Sequence, residues 1–244
     1  MTTPSASSLA REFAPTGRLR AALNMGNPVL AASRTSTERP AGVTIDLGRK
    51  FAALLGVDVE FLQCESAGVA GAALASGHAD IGFMAIDPKR AETLHFTSAY
   101  VQIEGFYAVR DESPLRSNEQ VDDSQVRVVI GTGSAYGLFL QRSLQRAQLI
   151  EVATSEEVVD RLMSDPTLHV AAGVRQQLLA DLQRVPGLRL LPEPFMTIAQ
   201  AMAMPRQRSD AAKQMLEAFM AEQRSSGFIR DALQRHGIEG VTLL

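Results

Sequence analysis

The chain predicts an α/β protein of two units, each a mixed sheet covered by helices, with the second unit inserted into the first. Three observations carry this. Strand-like apolar runs alternate with helical patterns from residue 18 to residue 85; the alternation breaks at the polar stretch "DESPLRSNEQVDDSQ" and then restarts; and the chain closes on two helical patterns. Such alternation marks a parallel or mixed sheet with helices on its faces.

The first elements are short. Residues 2–17 are polar, carry Pro4, Pro15 and Gly17, and read as a loose lead-in. "RLRAALN", 18–24, is a strand, and Gly26, Asn27 and Pro28 give the loop chemistry that follows it. A second polar loop, "SRTSTERPAG", ends at Gly42. Val43, Leu47, Phe51 and Leu54 recur at helical spacing, and Gly56 suits the left-handed position past the helix end. "VDVEFLQ" alternates as a half-buried strand does, "AGVAGAALASG" is a small-residue helix ending at Gly77, and "ADIGFMA" is the next strand. "VQIEGFYAVR", 101–110, is strand-like and leads into the polar crossover.

In the second unit "VRVVIG" reads as a buried strand, "SAYGLFLQRSLQRA" as an amphipathic helix and "AQLIEVA" as a strand. "SEEVVDRLMSD" is a helix opened by Ser155, "LHVAAGV" a strand, and "RQQLLADLQRVPG" a helix stopped by Pro186. "LRLLPEPFMTIAQAMAMP" carries strand material to Pro205, and helices follow over 209–225 and 227–236, with Ser209 as N-cap and Gly237 past the end. Extended segments near 101–107 and 194–200 connect the units.

Composition excludes several classes. Lys plus Arg is 24 against 27 for Asp plus Glu, a net charge of -3, which is no footprint for nucleic acid. No run approaches a transmembrane length, so no membrane insertion is expected. The N-terminus lacks the basic start and apolar stretch of a secretory leader, which predicts a cytoplasmic chain, or a periplasmic one whose leader was removed. Single Cys64 excludes an intramolecular disulfide and a Cys-rich metal site, and His78, His95, His169 and His236 lack metal-ligand spacing. No metal and no cofactor is expected.

Catalytic patterns are missing as well: there is no GxSxG elbow, HExxH or phosphate loop. "GTGSAYG", 131–137, follows a strand and precedes a helix, so its backbone N–H groups could face an anion; taken alone it is a tight turn. Glu104 interrupts an apolar strand, either at an edge facing solvent or as a ligand-facing carboxylate. Arg90, in "DPKRAET", reads by itself as a solvated arginine.

The runs "GVTIDLGRKFAALLGVDVEFLQ" and "ALASGHADIGFMAIDPKRAETLHFTSAYV" change that weighting. They resemble the type 2 periplasmic solute-binding proteins of the polar amino-acid family, bacterial extracellular solute-binding family 3. Asp46-Leu47, Leu74, Gly77, Asp80, Arg90, Phe96-Thr97 and Tyr100 match the family pattern, and the likeness continues through "VVIGTGSAYG" and "FMAEQRSSGFIRDALQRHG". The resemblance implies a two-lobe type 2 fold with two hinge strands, one lobe from 1–104 and 198–244 and the other from 105–197, closing on a small ligand in the cleft.

It further implies that Arg90 clamps the ligand's carboxylate, since a guanidinium matches a carboxylate with two parallel charge-assisted hydrogen bonds. Gly133, Ser134 and Ala135 stand where backbone N–H groups meet the same carboxylate. Ala85, beside Met84, replaces the hydroxyl that usually precedes the arginine by five residues. The stacking aromatic of the first lobe falls at Gly26, next to Asn24 and Asn27, and the other pocket wall near Ser66 or Ala67. Where an acid would meet an α-ammonium the chain offers Val174 and then Arg175. The resemblance, with these departures, implies non-enzymatic binding of a small organic anion or amino-acid-like solute, with Arg175 adding charge that favours a carboxylate or dicarboxylate. The partner would be an ABC-transporter permease, or the chain a related sensor. Two rivals stand beside this: a cyclohexadienyl dehydratase-like enzyme using Glu104, Glu65 or His169 as acid or base, and an interaction module that binds nothing small.

Overall fold

The structure is a computed structural model describing residues 6–27, 29–31 and 40–244; Pro4, Pro28 and residues 33–39 of the second polar loop lie outside them. The chain divides into two compact units, Met1–Gln102 with Ala199–Leu244, and Ile103–Ile198.

The first unit begins with α1 (Ala6–Phe13) and β1 (Arg18–Asn24), followed by α2 (Val43–Leu55), β2 (Asp58–Cys64), α3 (Ala67–Ala75), β3 (Ile81–Ala85), the single turn α4 (Pro88–Ala91) and β4 (Leu94–Phe96). The expected loose lead-in is corrected here. Its residues 6–13 form a helix: Phe13 closes edge-on against Phe51 of α2 with ring centroids 4.9 Å apart, and Glu12 Oε1 accepts from Ser209 N at 2.7 Å. These tertiary contacts give a short helix a reason to form that its composition does not announce.

Strand β5 (Val101–Arg110) takes the chain into the second unit: β6 (Arg127–Gly131), α5 (Ala135–Ser143), β7 (Gln148–Val152), α6 (Glu157–Ser164), β8 (Val170–Val174), α7 (Arg175–Arg184) and β9 (Leu188–Leu190). Strand β10 (Met196–Pro205) returns it, and α8 (Asp210–Ser225), α9 (Phe228–Arg235) and β11 (Thr242–Leu243) complete the first unit. Ser155 does not open α6, whose N-cap is Glu156; its hydroxyl instead accepts a hydrogen bond from Tyr136 at 2.9 Å.

In the first unit the strand order is β2-β1-β3-β10, with β4 on β10. Strands β1, β2 and β3 run parallel, Asn24 opposite Cys64 and Ala22 opposite Gly82, so their C-terminal ends share one edge. A buried ionic knot secures this sheet. Asp80, fully buried, accepts from the Arg20 backbone at 3.0 Å, from Arg20 Nε at 2.9 Å and Nη2 at 2.8 Å, and from Arg208 Nη2 at 3.0 Å.

In the second unit β5 has β9 on one side and β8 on the other, then β6 and β7. Alternate residues feed two cores: Tyr107, Val109, Val128 and Ile130 go to one face, and Phe106, Ala108 and Val129 to the other. A sheet buried on both faces reads as a continuous apolar run, which is why "VRVVIG" was legible. Glu104 therefore does not lie on an outermost strand, and that reading is corrected: β5 is an interior strand with β10 and β8 as neighbours.

Candidate functional site

Ligands of α/β sheets lie beyond the C-terminal ends of the parallel strands. In the first unit that edge is made by the ends of β1, β2 and β3, and the turn from β3 into α4 places Arg90 there. Asp87 caps α4, its Oδ1 accepting from Lys89 N at 2.9 Å and Arg90 N at 3.4 Å, and Pro88 occupies the first helical position. Arg90 is not solvated. It is 9% exposed, and its Nη1 donates to the carbonyl of Ala85 at 3.0 Å. Burial lowers the guanidinium's pKa and the neighbouring Asp87 charge opposes that shift. A guanidinium carries five N–H donors in a planar fork, so a buried one on this edge is suited to an anion.

The other candidates of this unit divide. Ala85 contributes its backbone carbonyl to Arg90, but Met84 turns into the core with Leu74 and Leu94, away from a binding role. Asn27 is engaged locally: its Oδ1 accepts from Val29 N at 3.3 Å and stabilises the turn. Asn24 Oδ1, at the end of β1, is buried with no hydrogen-bond donor among the described residues. Such an orphaned acceptor calls for an explanation, and a ligand donor is one.

In the second unit the corresponding edge holds the turn from β6 into α5. Gly133 has φ +65, Ser134 caps α5 through its Oγ to Gly137 N at 3.0 Å, and Ser134 N donates to Gly131 O at 3.1 Å. The expectation that the Ser134 amide faces an anion is corrected: the tight turn itself uses that donor. Ala135 begins α5, whose first amides have no acceptor within the helix.

Across the same sheet edge Arg175 Nη1 donates to Glu104 Oε2 at 3.2 Å, a pair between residues 71 positions apart that no local pattern announces. His169 lies at the opposite edge, where its Nδ1 accepts from Arg127 N at 3.1 Å just before β8. It is therefore separated from Glu104 by the whole of β8, five residues at about 3.3 Å each. Glu65 is exposed and belongs to the first unit. Cys64 is buried, and burial raises its thiol pKa. Among the described residues, no group of three His, Cys, Asp or Glu could hold a metal, and no helix is long and apolar enough to cross a membrane.

The family model of the bacterial extracellular solute-binding proteins, family 3, matches residues 19–238. The chain belongs to this family. Solved structures agree on a type 2 periplasmic-binding-protein fold. A mutant of ArgBP from T. maritima superposes with a TM-score of 0.79 at 15% identity, covering 95% of this chain and 100% of that one. The amino acid ABC transporter substrate-binding protein AbpA from Streptococcus pneumoniae, bound to L-arginine, gives 0.77 at 19% identity, covering 93% and 98%. An ancestral amino-acid-binding protein described as a precursor of cyclohexadienyl dehydratase gives 0.76 at 17% identity, covering 93% and 97%. At such identities the likeness concerns the fold. No curated protein matches the chain. For a family 3 protein, the position of Arg90 after β3 is the feature of this chain with the clearest chemistry.

Proposed function

We propose that this protein binds a small amino-acid-like carboxylate without covalent chemistry, as the solute-binding component of an ABC transporter or a related sensor. The observation that carries the reading is Arg90, a buried guanidinium held at the C-terminal edge of the first sheet by the Asp87 cap and the Ala85 carbonyl. Asn24, on the same edge, supports a ligand that also donates an N–H, since its buried Oδ1 has no donor among the described residues. For the dehydratase alternative, His169 and Glu104 stand at opposite ends of β8 and cannot act together on one substrate atom, so that reading would rest on Glu104, Glu65 or His169 alone.

Hydrogen bonds to a charged group contribute about 1.5–3 kcal/mol each, so losing a two-pronged clamp should weaken binding at least about a hundredfold. Titration calorimetry of Arg90→Gln against a panel of amino acids and simple carboxylates reads this, with circular dichroism confirming that the variant is folded. Because Arg90 is buried, Gln is the better replacement than Ala: it removes the charge while leaving a smaller void. Unchanged affinity in a folded Arg90→Gln would remove the assignment.

A further inference from the structure

Strand β11 lies against β5 just where β5 leaves the first unit. The two pair antiparallel, Thr242 opposite Gln102 and Leu243 opposite Val101, and Leu244 N donates to Tyr100 O at 3.4 Å. That bond makes Leu243 and Val101 the non-hydrogen-bonded pair, so Thr242 and Gln102 are the pair that exchanges main-chain hydrogen bonds. Arg224 Nε, from the last turn of α8, donates to Leu244 O at 3.0 Å. Gln102 is the last residue of β5 in the first unit, so β11 holds β5 up to its point of departure. Packing behind β11 is poor. Leu243 is 45% and Leu244 42% exposed, and a cavity of about 370 Å³ lies between α9 and the segment leading into β11, lined by Leu233, Ile238, Val241 and Leu243 among others. A gap withholds dispersion contacts from its walls, and an element with few buried apolar contacts opens locally at low cost.

We propose that β11 is a detachable strap that orders β5 where it crosses to the second unit, and that strap docking and ligand binding strengthen each other. The coupling rests on the carboxylate-binding reading above, in which binding reorients the two units about β5 and β10; the strap itself involves residues of the first unit alone. Docked, β11 fixes the extended backbone of Tyr100, Val101 and Gln102, because a change of dihedral angle there breaks the ladder. Undocked, those residues regain freedom. A ligand whose binding needs an ordered crossing strand then has less freedom left to remove when the strap is docked. Linkage makes the effect reciprocal, so the ligand raises the docked fraction of β11 by the same factor.

The test uses the full chain with Thr242→Pro, which lacks the N–H that the pair with Gln102 needs, and Thr242→Ala, which keeps it; Thr242 is exposed, so neither change touches the core. Amide hydrogen exchange is read at Ile103 and Glu104, which lie outside the ladder to β11 and so do not respond to the mere loss of its bonds. Without ligand, Thr242→Pro should speed their exchange at least about tenfold and leave the amides of β1 and β6 unchanged, while Thr242→Ala stays within about twofold. Titration calorimetry against L-arginine, L-leucine, L-glutamate and succinate should show the tightest binder weakened about three- to tenfold in Thr242→Pro, and in the wild-type chain that compound should slow exchange at Leu243 and Leu244. Unchanged exchange at Ile103 and Glu104 in Thr242→Pro, or an equal rise in Thr242→Ala, overturns the strap whether or not any carboxylate binds. Unchanged affinity in Thr242→Pro overturns the coupling alone. No binding of any carboxylate to the wild-type chain overturns the carboxylate-binding reading and the coupling with it, and the exchange rates still decide the strap.

Discussion

A Cβ placed on Gly26 would stand 2.8 Å from the backbone carbonyl of Glu65, closer than such atoms come without something shifting. The position where the family resemblance puts a stacking aromatic is thus closed to any side chain in this backbone. Gly26→Ala should destabilise the protein by about 1–3 kcal/mol, as overpacking against fixed atoms does. Urea unfolding measures it, and a cost below about 0.5 kcal/mol would mean that the loop yields. Arg90 teaches the converse at the same scale. Its identity as a candidate was legible from the order and spacing of matched residues, but "DPKRAET" is polar throughout and cannot show that the guanidinium is buried. The cap before it came from the structure, where Asp87 Oδ1 accepts from the amides of Lys89 and Arg90.

Among the elements, strands and long helices follow from periodicity, and the misreadings fall where tertiary contacts decide. Helix α1 is held by Phe13 on Phe51 and by Glu12 on Ser209, and Ser155 turns to Tyr136 and leaves the cap of α6 to Glu156. The Asp80 knot joins β1, the turn before β3 and the segment before α8, elements far apart in the chain. Sequence matching singled out Asp80, and the structure supplies the reason for a carboxylate there. Removing one partner of a buried ion cluster leaves the others uncompensated, which costs about 3–5 kcal/mol. Asp80→Ala should therefore lower the urea midpoint strongly while a surface change such as Glu193→Ala does not; equal effects would show that the knot contributes little.

For the molecule as a whole, two histidines set a direction with pH. Burial lowers the pKa of His95, with Lys213 next in effect, and burial followed by Arg127 and Arg110 lowers that of His169. In each case the unfolded chain binds the proton more readily, with an ordinary value near 6.5. This contribution to stability is complete above that value and is lost as the pH falls through it towards the lower folded values. Protonation at His169 also removes the acceptor that Nδ1 offers to Arg127 N. Urea midpoints at pH 7.5 and 5.0 should drop for the wild-type chain and drop less for the His95→Gln, His169→Gln double variant. A double variant with an undiminished drop would assign the acid sensitivity to the carboxylates.

By itself the sequence determined the alternation of strands and helices, the resemblance to the solute-binding family and Arg90 as the residue to test. Those rest on local periodicity and on ordered spacing, both of which are written along the chain. Only the tertiary structure decided that Arg90 is buried, that Met84 belongs to the core, and that Glu104 meets Arg175. The last pair lies 71 residues apart, brought together by the register of β5 on β8. Strand pairing is a long-range choice made by burying two faces of a sheet, and a chain read residue by residue does not display it.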